Sequence, residues 1–301
     1  MKKLSVVISA FNEEKKIKEC LESVKFADEI IVIDNGSTDK TAEIAKKHGG
    51  KIITQKNNPL KIDLQKNVGF SNATGDFILS LDADERITPE LADEIQIVLN
   101  YEFPKDGYEI PRKNIIFGKW IEHTGWYPDY QMRLFQKGKG EFEEGRVHVQ
   151  LSVIGDIGRL ENPMLHLNYE TVSQFLSKLD VYTTSQANDM IENNNQVHIY
   201  DAISMPAEEF LKRYFAEHGY KDGMHGLVLS LLMAFYHVVI FAKVWEAQKF
   251  EDTYTNTLPV FEGEFKKTAR DTAFWILKEK KDNTKSGLKK FLLSIQGKVK
   301  R

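Results

Sequence analysis

Short apolar runs and helical repeats alternate along the first hundred residues. Leu4 to Ser9 is a continuous run rich in β-branched residues, typical of a buried strand, and apolar residues at helical spacing follow over Glu14 to Lys25. The alternation continues with an apolar strand at Glu29 to Asp34, a buried strand at Phe77 to Leu81 and a helix from Pro89 to Leu99. Alternation with short connections predicts an α/β fold with a mainly parallel sheet and helices on both faces.

The pattern changes twice after this segment. Short aromatic and β-rich segments broken by Gly and Pro run from Tyr108 to about Gly158, which indicates antiparallel edge strands and loops that form a site. From Val172 onward the repeats are helical. We therefore predict a first domain over residues 1–170 and a helical C-terminal region over residues 171–301.

The C-terminal region contains a predicted apolar helix at residues 226–248 and a basic amphipathic tail at residues 261–301. Residues 226–242 carry no formal charge, a run just short of the ~20 residues that span a bilayer. The helix is either buried in a helical subdomain or interfacial to a membrane, with a true span as a third alternative. Residues 266–301 hold twelve Lys or Arg against three acids, so the tail either binds anionic lipid or is a solvated or flexible segment.

Composition narrows the classes of protein. The formal net charge of -3 gives no general attraction to nucleic acid, which we exclude as a partner. Cys20 is the only cysteine and lies in a helical pattern, so it predicts a packing residue and suits a reducing compartment. The apolar run after Met1-Lys2-Lys3 is cut short by Asn12-Glu13-Glu14, so we expect a cytoplasmic protein.

Polar clusters stand at or near the carboxyl ends of the predicted strands. They cover residues 10–14, 34–39 and 82–85, with Lys66-Asn67 in a predicted helix. Ligands of parallel sheets gather at this edge. The third cluster sets three carboxylates after a buried strand, and a hard divalent cation is a suitable counter-charge for them.

At these clusters the chain resembles the family 2 glycosyltransferases, which have the GT-A nucleotide-sugar fold. The resemblance runs from Leu4 to about Leu99, and Asp82-Ala83-Asp84 forms the Asp-Xaa-Asp element that marks the family. Three segments are similar to bacterial lipopolysaccharide-core β-glucosyltransferases and extend the resemblance to about Gln248. They are QKNVGFSNATGDFILSLDADERITPEL, GWYPDYQMRLF and YKDGMHGLVLSLLMAFYHVVIFAKVWE.

The resemblance implies an inverting, metal-dependent transfer of a hexosyl group. The donor would be a nucleoside diphosphate sugar, with uridine as the base, and the acceptor a lipid-linked glycan or oligosaccharide of the cell envelope. A nucleotide-sugar half at residues 1–100 and an acceptor half at residues 101–170 would make up the first domain. A site at the inner face of the cell membrane, and a homodimer formed through the C-terminal helices, are further expectations.

The resemblance also assigns roles to residues. Asp84 would contact Mg²⁺ or Mn²⁺ directly, with Asp82 at the ribose or in the metal shell. The acceptor would meet Trp126, Arg133 and His148, and His148 or His166 could complete a metal or phosphate shell. The predicted donor-binding residues are Ala10, Phe11, Asn12, Glu14, Asp34, Asn35, Lys66, Asn67, Asp82 and Ala83.

Inverting transfer needs a base that deprotonates the acceptor hydroxyl. Asp129 is our candidate, because the surrounding Pro and aromatic residues would position it and raise its pKa by desolvation. Glu143 and Glu144 are the alternatives. Related enzymes often carry Val-His-Glu where this chain has Val147-His148-Val149, so one carboxylate of the relatives is missing. This departure keeps a non-catalytic nucleotide-sugar-binding protein open, and an Asp-based phosphatase, which also uses Asp-Xaa-Asp at a strand end, is a further alternative.

Overall fold

The computed structural model describes residues 2–58, 62–143, 150–251 and 256–284. The chain divides into two compact units, which we call the sheet unit (Met1–Trp120 and Tyr127–Asn168) and the helical unit (Ile121–Trp126 and Tyr169–Arg301). The sequence placed residues 121–126 in the first domain, whereas the structure groups them with the C-terminal helices.

The first part of the sheet unit alternates strands and helices as the apolar pattern predicted. Its elements are β1 (Leu4–Ala10), α1 (Ile17–Ser23), β2 (Glu29–Asp34), α2 (Thr41–Lys47), β3 (Lys51–Thr54), α3 (Ile62–Asn72), β4 (Phe77–Asp82), β5 (Glu85–Arg86) and α4 (Pro89–Leu99). Helix α1 begins later than expected because the backbone around Glu13 first forms a turn, in which Lys16 N–H donates to the Glu13 carbonyl at 2.9 Å.

The second part of the sheet unit is β-rich. It contains β6 (Gly107–Ile116), β7 (Lys119–Trp120), β8 (Asp129–Gln136), β9 (Gly140–Phe142), β10 (Leu151–Val153), β11 (Ile157–Arg159) and β12 (Met164–Leu167). The main sheet has the order β3-β2-β1-β4-β8-β6-β12-β5, with β7 and β11 on β6. Strands β1 to β4 are parallel, and β8 runs antiparallel to both of its neighbours.

Both faces of the parallel strands are covered, as expected for a run that is apolar at every position. All seven residues of β1 are buried. Val6 and Ile8 pack into one apolar cluster with helices α1 and α4, and Val7 packs into the other with Phe70 of α3. Cys20 is fully buried in the first cluster, which confirms its role as a packing residue.

The parallel register sets the strand ends level. Ala10 pairs with Asp34 and Asp34 with Thr54, while Ser9 pairs with Asp82. Side chains that follow β1, β2 and β4 therefore emerge along one edge of the sheet, where ligands of open α/β sheets bind.

The helical unit confirms the predicted C-terminal helical extension. It contains α5 (Val172–Glu192), α6 (Asp201–Leu211), a π-helix (Lys212–Ala216), a 3₁₀-helix (Gly219–Asp222), α7 (Met224–Ala247) and α8 (Leu258–Asp282). Pro206 lies inside α6. Within the described residues, α7 alone is long and apolar enough to cross a membrane by length and composition, and 22% of its most apolar window is buried.

Candidate active site

Loops that follow β1 and β2 form the first wall of the site. Phe11 is 41% exposed, so one ring face is open to a flat ligand. Asp34 is buried at the end of β2 and accepts the Ser37 N–H through Oδ1 at 3.0 Å. Ala10 is also buried and shapes the base of this wall.

Asn12 and Glu14 tie the two loops together. Asn12 adopts a left-handed backbone with φ of 54°, which asparagine tolerates, and its Oδ1 accepts the Thr38 N–H at 2.8 Å. The Glu14 carboxylate accepts the Lys40 N–H at 3.1 Å. Both side chains therefore hold the shape of the wall.

Two predicted donor-binding amides have structural partners instead. Asn35 is buried, donates to Ser9 Oγ at 3.0 Å and accepts from Gln55 at 3.1 Å. Asn67 donates to the Phe142 carbonyl at 2.9 Å and accepts the Phe142 N–H at 3.0 Å. Neither amide presents its hydrogen-bonding edge to a ligand in this arrangement, and Asn67 instead fixes β9 beside α3.

A buried ion network forms the floor of the site. Lys66 is 1% exposed, and its Nζ lies 2.7 Å from Asp82 Oδ1 and 3.1 Å from Asp63 Oδ1. The Arg133 guanidinium lies 3.1 Å from Asp82 Oδ2 and 2.6 Å from Glu85 Oε1. Glu85 is fully buried, and its other oxygen accepts the Asp82 N–H at 2.9 Å. Arg133, predicted as an acceptor contact, thus belongs to this floor.

The network keeps its members charged. Burial would raise the pKa of Asp82, but the Lys66 and Arg133 cations outweigh it and hold that pKa well below its ordinary value. Burial would likewise lower the pKa of Lys66, but the Asp82 and Asp63 carboxylates raise it. Asp82 is therefore an ionised acceptor of fixed orientation at neutral pH.

Asp129 has a different environment from the one its neighbours in sequence suggested. The β6–β8 register sets Arg112 opposite Asp129, and Arg112 donates to Asp129 Oδ2 through Nε at 2.8 Å and Nη2 at 2.6 Å. Gln131 donates to Oδ1 at 2.7 Å. Burial opposes ionisation, but Arg112 outweighs it and lowers the pKa of Asp129. The expected rise of this pKa is wrong, because a guanidinium faces the carboxylate.

A hydrogen-bonded path leads from Asp129 to the Asp-Xaa-Asp element. Asn114 Nδ2 donates to Asp129 Oδ2 at 3.2 Å, so its amide oxygen faces His166 Nδ1 at 2.7 Å. Because an amide oxygen only accepts, His166 carries a proton on Nδ1, and Nε2 is the ring nitrogen left to bind a ligand. Nε2 lies 3.6 Å from Asp84 Oδ2. A carboxylate and an imidazole nitrogen that face each other suit a cation between them.

The charge balance of the site also favours a cation. Three cationic side chains face five carboxylates, so carboxylates outnumber cations by two. The cations are Lys66, Arg112 and Arg133, and the carboxylates are Asp63, Asp82, Asp84, Glu85 and Asp129. A diphosphate would be repelled from this surface unless a divalent ion offset the charge.

The metal ligands that the chain offers are few. Among the described residues, no three His, Cys, Asp or Glu side chains converge as a metal cage. Asp84 and His166 form a pair, which fits an ion that completes its shell with phosphate oxygens and water, as Mg²⁺ does. Ala83 is buried between the two aspartates in sequence and helps set their spacing.

The remaining predicted residues belong to the helical unit, lie outside the described residues, or neighbour Phe142 in sequence. Trp126 belongs to the helical unit. His148 and Glu144 lie outside the described residues. Glu143 is exposed and directly follows Phe142, whose ring centroid is 5.4 Å from Lys66 Nζ in the floor.

Asn114 was not among the predicted site residues, and the partners of Arg112 and Glu85 were not predicted. Arg112 and Asn114 are two positions apart on one strand, which sets them on one face, but only the strand pairing shows what that face meets. His166 is opposite Asn114 in the β6–β12 pair, and Glu85 is opposite His166 in the β5–β12 pair. The sheet register assembles these residues from distant parts of the sequence.

Comparisons with known proteins indicate a family of enzymes. Residues 5–141 match the family described as glycosyl transferase family 2. The chain is 29% identical to an uncharacterized glycosyltransferase of Rickettsia typhi, over 82% of this chain and 88% of that protein. It is 25% identical to the lipopolysaccharide core biosynthesis glycosyltransferase LpsC of Rhizobium meliloti, over 81% and 92%. Among solved structures, TarS residues 1–349 of S. aureus with UDP-GlcNAc is 17% identical over 84% and 93%, with a TM-score of 0.44.

The family match over residues 5–141 and these relatives support the resemblance to the family 2 glycosyltransferases that the sequence indicated. The sheet order and the helices on both faces agree with the GT-A fold expected for it.

Replacement of the buried cation tests the ion network. In Lys66→Met the Asp82 and Asp63 carboxylates lose their shared partner, so the free energy of unfolding should fall by about 2 to 3 kcal/mol. This loss is smaller than for a fully buried pair, because both carboxylates are partly exposed to solvent. Urea unfolding at pH 7 measures it. The exposed Lys18→Met is the control and should change little; equal stability of the two variants would contradict the network.

Proposed function

We propose that the protein transfers a hexosyl group from a UDP-sugar, with inversion at the sugar carbon, to a glycan or glycolipid acceptor in cell-envelope polysaccharide synthesis. The observation that carries the proposal is the negatively charged site at the carboxyl ends of β1, β2 and β4, where Asp84 faces Nε2 of His166. Uridine is the base that the family resemblance implies, and LpsC is a relative from lipopolysaccharide core synthesis.

The donor would lie along the wall and floor of the site. The open ring face of Phe11 can stack on a base, and Asp34 can accept a base or ribose hydrogen bond. Asp82, ionised and fixed by Lys66, can accept from a ribose hydroxyl. Asp84 and His166 would hold Mg²⁺ or Mn²⁺. When bound, such an ion offsets the charge that develops on the departing diphosphate.

We assign the base to Glu143 rather than Asp129. Asp129 is held by two guanidinium contacts and by Asn114 and Gln131, and a carboxylate with a lowered pKa is a weak proton acceptor. Glu143 is exposed, so an acceptor hydroxyl can reach it. Asp129 acts as a positioning residue, because its contact with Asn114 orients the imidazole of His166.

The proposed location is the inner face of the cell membrane. Exposed apolar residues lie on one face of α7 at Leu231, Phe235 and Val238, and Phe261 and Phe265 are exposed near the start of α8. Twelve cationic residues follow in residues 266–301. Apolar surface combined with cations favours an anionic membrane, and pairing of two copies is the competing use of the same residues.

Loss of Asp84 should remove metal-dependent nucleotide binding. In Asp84→Ala the affinity for UDP in the presence of Mn²⁺ should fall ~10- to 100-fold, because the ion loses its carboxylate ligand. Isothermal titration calorimetry with Mn²⁺, and with EDTA in its place, measures this difference. The exposed Asp93→Ala makes the same change in charge and should bind as wild type does. Unchanged affinity in Asp84→Ala would refute the metal role.

Two carboxylate variants separate the base from the positioning residue. Glu143→Gln should cut turnover about 10²- to 10⁴-fold while UDP–Mn²⁺ affinity stays unchanged. Asp129→Asn should weaken that affinity about 10-fold, because the Asn114 amide loses the carboxylate that orients it. Turnover is followed as UDP release from UDP-glucose or UDP-N-acetylglucosamine with a bacterial lipooligosaccharide acceptor. Two results together would return the base role to Asp129. Glu143→Gln would turn over as wild type does, and Asp129→Asn would lose turnover while its UDP–Mn²⁺ affinity stays unchanged.

Membrane association depends on the exposed aromatic residues of α8. The double variant Phe261→Ser/Phe265→Ser should bind less to phosphatidylglycerol-containing vesicles in a sedimentation assay. Phe103→Ser, which removes an 86% exposed ring from the sheet unit, is the matched control. Equal vesicle binding by wild type, the double variant and the Phe103→Ser control would contradict the proposal. A concentration-dependent dimer that is lost in the double variant would assign Phe261 and Phe265 to self-association.

A further inference from the structure

The helical unit contains a cavity of its own. Its volume is about 410 Å³, within the range of small-ligand sites. The residues that line it all belong to the helical unit, so it is distinct from the ion network of the sheet unit. The lining is Trp126, Tyr169, Phe175, Leu179, Tyr182, Gln186, Glu209, Lys212, Arg213, Met233, Tyr236 and His237.

One side of the lining is aromatic. The rings of Trp126 and Tyr169 meet edge to face at 6.3 Å between centroids, and Tyr169 meets Phe175 at 4.9 Å. The Arg213 guanidinium lies 5.6 Å from the Trp126 ring centroid. Aromatic rings offer flat apolar faces with polar edges, which suit the C–H face of a pyranose ring.

Hydrogen bonds fix the position of the lining, and a buried polar atom belongs to it. Asp222 accepts the Thr124 hydroxyl at 2.9 Å, and Arg213 donates to the Thr124 carbonyl at 2.9 Å, so the segment that ends in Trp126 is fixed to the helical unit. His237 Nδ1 is buried and has no hydrogen-bond partner among the described residues. A buried polar atom without a partner is costly, and a ligand hydroxyl can satisfy it.

The lining carries one positive charge more than negative. Glu209 accepts a hydrogen bond from Arg213 Nε at 2.5 Å, which pairs these two residues. Lys212 is exposed and remains as the extra cation. Burial lowers the pKa of His237, so its ring is neutral at pH 7. Lys212 and Arg213 open the π-helix, an irregularity that frequently marks functional sites.

We infer that this cavity binds a sugar that carries a phosphate or carboxylate group. The aromatic faces hold the ring, the buried polar groups meet its hydroxyls, and Lys212 selects the acidic group.

Saturation-transfer NMR on the full chain with UDP and Mg²⁺ tests the inference. The probes are glucose 6-phosphate, glucuronate, glucose and inorganic phosphate. We expect both sugar acids to bind at least about 5-fold more tightly than glucose, a difference typical of one charge-assisted contact, and inorganic phosphate not to displace them. Glucose 6-phosphate and glucuronate distinguish phosphate from carboxylate as the preferred group.

Variants connect the binding to the cavity. Lys212→Ala should remove the preference for sugar acids over glucose, and Lys221→Ala, an exposed lysine outside the lining, should keep it. Trp126→Ala and Tyr182→Ala should weaken the binding of all sugar probes. Tyr182 is 41% exposed, so Tyr182→Ala is the variant less expected to disturb folding. No sugar binding at about 10 mM probe, or the same preference in Lys212→Ala as in wild type, would overturn the inference.

UDP–Mn²⁺ affinity is measured on the same proteins. Sugar acids that bind when UDP does not would support the cavity as a sugar site and reject the proposed function. UDP binding without sugar-acid binding would reject the cavity inference alone.

Discussion

Burial of the Lys66 ammonium between Asp82 and Asp63 is the constraint on which the rest of the site depends. A buried cation is tolerated only when carboxylates surround it closely, and here their oxygens lie at 2.7 and 3.1 Å. Asp82 in turn meets Arg133, which meets the fully buried Glu85. Each charge is held by the next, so the end of β4 has a fixed orientation. The excess of carboxylates over cations makes this rigid floor a place for a further positive charge.

A second consequence follows from the strand pairing around that floor. Arg112 lies opposite Asp129, and His166 lies opposite Asn114, so one path runs from Arg112 through Asp129 and Asn114 to His166. The path orients the imidazole with Nε2 toward Asp84. The contacts that fix Asp129 also lower its pKa, because a guanidinium favours the ionised carboxylate, and a lowered pKa makes Asp129 a weaker proton acceptor.

The sequence predicted the elements and the parallel edge well, because apolar periodicity reports burial directly. Phe11, Asp82 and Asp84, which it predicted for the site, lie at the ends of strands whose order and direction are regular. The sequence could not give the partners of Asn35, Asn67 or Asp129. Asn67 bonds the backbone of Phe142, 75 residues away, and Asp129 meets Arg112 only through the antiparallel register. Such pairings depend on tertiary structure, so local residue type misjudged the pKa of Asp129.

The central claim is that Asp84 and His166 hold a divalent ion that brings a nucleoside diphosphate to the floor of the site. Crystals grown with UDP and Mn²⁺, measured for manganese anomalous scattering, test it most directly. The account predicts an anomalous peak within coordination distance of an Asp84 carboxylate oxygen and His166 Nε2, with diphosphate oxygens on its other side. Bound UDP with no manganese at these two side chains, or with the ion elsewhere, would contradict it.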